Sequence, residues 1–258
     1  MLIIVNIFCI YKSKKMLYNY DNYTFRIGFM VYLRIIALIF LGVLFFAQLL
    51  TASWYDITKK TGNDKKIFKH KLICSIIYVA SFLLCIAINS SPADVYILFF
   101  GISIALLFIH DITEKNDNKL LNFISCFFGT GAYILISYAL YFKNTELFSF
   151  VPLTPAVRIS IPISIYLICL IFSLKSTTLC TAISSAYLLM NAASVAYNLQ
   201  NTDTELFQTA SCAITLGAVA LFISNVIHVF DKEDKKSLLR INTYYFGLMF
   251  ISCSVAVL

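Results

Sequence analysis

Asn225 and His228 stand three residues apart in the apolar run GAVALFISNVIHVF, between Gly217 and Phe230. On a helix that spacing puts an amide and an imidazole on one face. Among lipid-compatible residues such groups cost free energy unless partners or water satisfy them, so the face is a candidate pocket wall. Asn225 can equally be interhelical hydrogen-bonding glue, and the sequence leaves both roles open. Other polar residues fall at helix ends sharing that depth: His110 and Asp111; Ser224; Asn242, Thr243, Tyr244 and Tyr245; Lys69, His70 and Lys71. A carboxylate, hydroxyls and imidazoles gathered there could line a cavity for a lipid headgroup and its glycerol. For His110 and His70 a plainer reading is favoured. His110 and Asp111 then terminate a helix in the headgroup zone, and His70 belongs to a solvated basic loop.

The elements that must position these groups are membrane helices. Apolar residues make up 60% of the chain and charged residues 13%, with a mean hydropathy of +0.84, far from the balance of soluble domains. Runs near spanning length cover Phe29–Tyr55, Lys71–Ile88, Ala93–Ile109, Leu120–Phe142, Val157–Leu174, Thr177–Leu199, Phe207–Phe230 and Ile241–Leu258. They predict an all-α, polytopic transmembrane bundle of about eight helices. Connections as short as Asn89–Pro92 and Lys175–Ser176 leave no room for a soluble domain and make sequence neighbours antiparallel. A single domain over 29–258 follows, with a tail over 1–28. In that tail the apolar stretch precedes Lys12, Lys14 and Lys15, the reverse of a secretory signal, and Met16 offers an alternative start.

Lys59, Lys60, Lys65, Lys66, Lys69, Lys115, Lys119, Lys175, Lys232, Lys235, Lys236 and Arg240 all fall on one side of this bundle. The positive-inside rule then places both termini outside, in a bacterial inner membrane or a eukaryotic endomembrane. The net charge of +7 reads as topology and contact with anionic membrane lipids, with no nucleic-acid partner. Eight cysteines lie in apolar runs without CxxC spacing and read as packing residues; neither a metal site nor a cofactor is expected. Gly217, Ala218 and Ala220, and Gly129 with Gly131, suit close helix packing. Pro162 with Tyr166 one turn on marks a kink beside a phenol, open between pocket wall and packing interface. HExxH, GxSxG, Walker and dinucleotide-binding signatures are absent from the sequence, which removes the familiar hydrolase and nucleotide machinery.

GAVALFISNVIHVF, then a charged loop and TYYFGLMFIS, resemble in order and spacing two segments of the YhhN-like lysoplasmalogenase family, G-x-x-x-F-x-x-SD-S and T-Y-Y-x-x-Q. FFGTGAYILISYALYF, IPISIYLICLIFSL and the aspartate closing IALLFIHD are similar to three more, and the likeness covers most of residues 60–258. The chain departs from the pattern at five positions, one of them the proline that usually follows the basic residue of helix two and is missing after Lys71. His110 replaces the glycine of a Gly-Asp pair, Asn225 a second aspartate, Ser137 a histidine and Leu248 a glutamine.

The resemblance implies an enzyme that cleaves the vinyl-ether bond of lysoplasmalogens into a fatty aldehyde and a glycerophospho-base. Such chemistry needs an acid to protonate the alkenyl carbon and a carboxylate to balance the resulting cation. In this chain Asp111 would be the carboxylate and His228 the proton donor, provided helices three and seven touch. Asn225 and Tyr244 would orient the substrate and Lys71 would meet its phosphate, with Ser224, Tyr166 and Ser137 as further binding residues. An amide neither titrates near neutral pH nor carries charge. The alternative expectation is therefore a non-catalytic member that binds a lysolipid or another amphiphile. A transporter is the least favoured reading, because unwound Gly-Pro half-helices are missing.

Overall fold

The computed structural model describes residues 20–62, 64–89, 94–113, 119–148, 155–173, 177–202, 204–231 and 235–256. They form eight α-helices: α1 (Tyr20–Thr61), α2 (Asp64–Ile88), α3 (Val95–Thr113), α4 (Lys119–Phe148), α5 (Pro155–Ser173), α6 (Thr177–Gln200), α7 (Glu205–Phe230) and α8 (Ser237–Ser254). No strand occurs among the described residues. In α1, α2, α3, α4, α6 and α7 a stretch is long and apolar enough to cross a membrane; the apolar part of α5 counted among its described residues, Ser160–Ile171, is shorter. The protein is a multi-pass helical membrane protein.

Several helices outrun the hydrophobic stretches that mark them in the sequence. α1 begins at Tyr20, inside the expected tail, whose first nineteen residues lie outside the described part. α2 begins at Asp64 rather than Lys71, so the expected basic loop is largely helix. Good helix formers and an acidic residue in the first turn carry a helix beyond the apolar boundary. The α1–α2 turn closes on Gly62, at φ 69°, the left-handed conformation that favours glycine after a helix. α3 runs to Thr113 with His110 in its last turn, so His110 and Asp111 stand at the end of the helix as expected.

Six helices pack in a closed ring, α2–α3–α4–α6–α7–α8, with α8 returning to α2. α1 lies outside the ring against α2 and α8, and α5 lies outside it against α4 and α6. Lipid-compatible side chains explain the outer position of α1: Ile39, Phe40, Val43, Phe46 and Trp54 are all more than half exposed. The ring interior holds the main core, including Phe100, Leu107, Tyr133, Leu221, Tyr245 and Met249. α7 and α8 approach most closely at Gly217 and Gly247, where a Cβ on either residue would meet backbone of the other helix at 2.7–2.9 Å. Small residues let membrane helices approach in this way, as Gly217 suggests in the sequence.

Candidate functional site

Asp111 lies on α3, 3% exposed. Its Oδ2 accepts from the Ser75 hydroxyl of α2 at 2.7 Å, and its Oδ1 accepts from the Tyr244 hydroxyl of α8 at 3.0 Å. A buried carboxyl requires such partners. The Ser75 hydroxyl also lies 3.1 Å from the Lys71 carbonyl, and Lys71 sits one helical turn before it, so both face the same side of α2. Lys71, Ser75 and Asp111, with Phe68, Leu72 and Ile112, line a crevice between α2 and α3 too narrow to admit a water molecule. A lipid headgroup and glycerol need far more room; an amphiphile reaches Asp111 here only if α2 and α3 part.

A second polar pair crosses the ring. Asn225 of α7 donates from Nδ2 to the Tyr133 hydroxyl of α4 at 3.2 Å, and to the Leu221 carbonyl of its own helix at 3.0 Å. Tyr133 is 1% exposed and neighbours Tyr78 and Tyr244, which in turn flank Asp111. Asp111 and Asn225 therefore belong to one interior cluster, joined through phenols from α2, α4 and α8. The Tyr78 hydroxyl is buried beside Asp111 and Ser75, inside the same polar cluster.

The other expected site residues take separate places. His228 is half-buried on α7, a helix packed on α6 and α8, whereas α3 packs on α2 and α4. Ser75 and Tyr244 hold the two Asp111 oxygens, and His228 stands one turn beyond Asn225 on α7. Ser224 donates to the Arg240 carbonyl at 2.8 Å and ties α7 to the start of α8. Ser137, fully buried, donates to the Tyr133 carbonyl one turn back. Tyr166 packs on Phe127, ring centres 5.4 Å apart, and lies on the α4–α5 contact away from the ring interior. His110 bonds through Nδ1 to the Ser125 hydroxyl at 2.7 Å and lies over Gly129, latching α3 to α4. His70 lies on the helix α2 and meets the Thr58 hydroxyl at 3.0 Å. Both histidines are held by neighbours, His110 in the last turn of α3 and His70 on α2 instead of in the solvated loop expected of it.

Ser75, Tyr78 and Tyr133 were not expected in the site. Two of them stand one turn from residues that were, Ser75 from Lys71 and Tyr133 from Ser137, and helical periodicity is the signal that relates them. Among the described residues no group of three or more His, Cys, Asp or Glu is placed to hold a metal ion. Chemically, the cluster offers one carboxyl, several phenols and an amide, with the buried Lys71 one turn from Ser75. No protein-family model, curated protein or solved structure matches the chain.

Proposed function

We propose that this protein is a lysoplasmalogenase-like membrane hydrolase, acting on the vinyl ether of a single-chain ether phospholipid. The observation that carries the reading is Asp111, a buried carboxyl near the end of α3 with a hydroxyl on each oxygen. One carboxyl can serve both halves of the reaction. As the acid it gives its proton to the alkenyl carbon remote from the ether oxygen, and the carbon bound to oxygen becomes an oxocarbenium ion. The carboxylate left behind balances that charge. Water then adds to the cationic carbon, its proton returns to Asp111, and the hemiacetal collapses to a fatty aldehyde and the glycerol alcohol. Ser75 suits both states, because a hydroxyl accepts as readily as it donates. In this scheme Lys71, which lines the crevice, meets the phosphate, and Asp111 takes the donor role that the resemblance gives to His228.

A second reading, a non-catalytic amphiphile-binding protein, is favoured by Asn225. Its amide is spent on Tyr133 and on its own helix, and it offers no second acid. Aldehyde release and lysolipid binding, measured together on the purified protein in detergent, separate the two. Release from a choline lysoplasmalogen supports the hydrolase; binding without release supports the second reading.

A further inference from the structure

The packing of the eight helices repeats with a period of four. α1 on α2, α2 on α3, and α3 on α4 have counterparts in α5 on α6, α6 on α7, and α7 on α8. The contacts that close the ring follow the same rule: α4 on α6 corresponds to α8 on α2, and α4 on α5 to α8 on α1. Advancing every helix by four returns the same set of neighbours, whereas advancing by two does not, because α2 does not pack on α4 as α4 packs on α6.

Individual hydrogen bonds obey this relation as well. Asp111 on α3 meets Tyr244 on α8, and Asn225 on α7 meets Tyr133 on α4. At the opposite end of the bundle Asn89, just after α2, donates to the Val255 carbonyl at the end of α8. Its counterpart Asn198, near the end of α6, donates at 2.8 Å to Asn144 near the end of α4. Two halves offset by an even number of helices cross the membrane in the same sense, so the axis relating them runs along the membrane normal.

We infer that the chain is a tandem pair of four-helix units, and that Asp111–Tyr244 and Asn225–Tyr133 are equivalent half-sites of one ligand site on the axis between them. The inference rests on the proposed function only for the ligand class, a single-chain ether phospholipid. Each half-site is a short polar side chain on the third helix of one unit, held by a tyrosine from the fourth helix of the other. Ligand sites at the interface of such repeats draw on both units. The two half-sites differ in charge: Asp111 supplies the proton-carrying group, and the Asn225–Tyr133 pair positions the ligand without charge. Nothing in the relation fixes which half carries the carboxyl.

The test moves the carboxyl across the axis. Asp111→Asn is compared with the double variant Asp111→Asn/Asn225→Asp, reading aldehyde release from a choline lysoplasmalogen and the thermal midpoint in detergent. Equivalence predicts that the single variant loses release and melts lower. The double variant should then recover release to within about tenfold of wild type and regain the midpoint, as coupled neighbours do. A double variant as impaired as the single one in both readouts overturns the inference. If wild type releases no aldehyde, the hydrolase reading has failed while the midpoints still decide: recovery supports equivalent half-sites, and summed losses overturn them. Should Asp111→Asn not fold, Tyr133→Phe and Tyr244→Phe remove one oxygen each. The probe is then an alkyl-ether lysophosphocholine, which has no vinyl ether to hydrolyse. Similar losses of affinity, about threefold to tenfold each, support the inference, and a loss confined to Tyr244→Phe overturns it.

Discussion

The Tyr244 hydroxyl donates to Oδ1 of Asp111 at 3.0 Å, although α3 and α8 are not packed neighbours in the ring. The bond spans the ring interior, and with Ser75 on the other oxygen it fixes the carboxyl from two sides. Such hydrogen bonds are worth about 0.5–1.5 kcal/mol each to a neutral carboxyl and about 1.5–3 kcal/mol to an ionised one. Tyr244→Phe and Ser75→Ala are each expected to lower the thermal midpoint measurably. Because both act on one carboxyl, the double variant should lose less than the sum, a coupling that a double-mutant cycle measures directly.

Gly217 and Gly247 set the spacing of α7 and α8. A methyl group on Gly217 would lie 2.4 Å from an Ile251 side-chain carbon and 2.7 Å from the Ile251 nitrogen, and a backbone cannot step aside cheaply. Gly217→Ala is expected to cost about 1–3 kcal/mol by overpacking. Gly42, on the outer helix α1, has nothing within 4 Å of the same position. Gly42→Ala should instead stabilise by about 0.5–1 kcal/mol through helix propensity. Thermal unfolding of the two variants side by side gives opposite signs if the packing is as described.

His110 lies over Gly129, with Nδ1 2.9 Å from where a Cβ would stand. Gly129→Ala should therefore displace the imidazole from Ser125 and destabilise the α3–α4 contact. In the background of His110→Ala the same methyl meets space, so the double variant is expected to be more stable than Gly129→Ala alone. Equal losses in both backgrounds would show that the ring is not what the methyl strikes.

Asp94 caps α3 through the Tyr96 N–H at 2.9 Å and pairs with Lys143. Burial pushes its pKa up, but the hydrogen bonds from Lys143 and Tyr96, with the lysine charge, bring it below the ordinary carboxylate value. A carboxylate with a depressed folded pKa stabilises above its unfolded value, about 3.9, and that stability is lost as pH falls through the folded pKa. Asp94→Asn keeps the cap and removes the charge. The gap in thermal midpoint between wild type and this variant should be constant above about pH 5 and close below about pH 4.

How much of this was legible in the sequence follows from what periodicity can encode. The helices were legible, because a run such as Thr177–Leu199 or Phe207–Phe230 differs from its α6 or α7 counterpart by at most a few residues. Their ends were not, since Asp64–His70 is polar yet continues α2. Asp111, Asn225 and Tyr244 stand out as polar groups among apolar ones, and they do share an interior cluster. Their partners Ser75 and Tyr133 carry no such contrast, because serine and tyrosine are common in this chain. His228 illustrates the remaining gap. Its spacing from Asn225 fixes a helix face, whereas its distance from Asp111 depends on which helices meet in the ring.

The most direct measurement is aldehyde release from a choline lysoplasmalogen by the purified wild-type protein, Asp111→Asn and His228→Ala. If Asp111 is the acid and base of the site, wild type releases aldehyde and Asp111→Asn loses at least about 100-fold. His228→Ala should stay within about tenfold of wild type. A folded wild type that releases nothing, or an Asp111→Asn variant as active as wild type, would contradict the account.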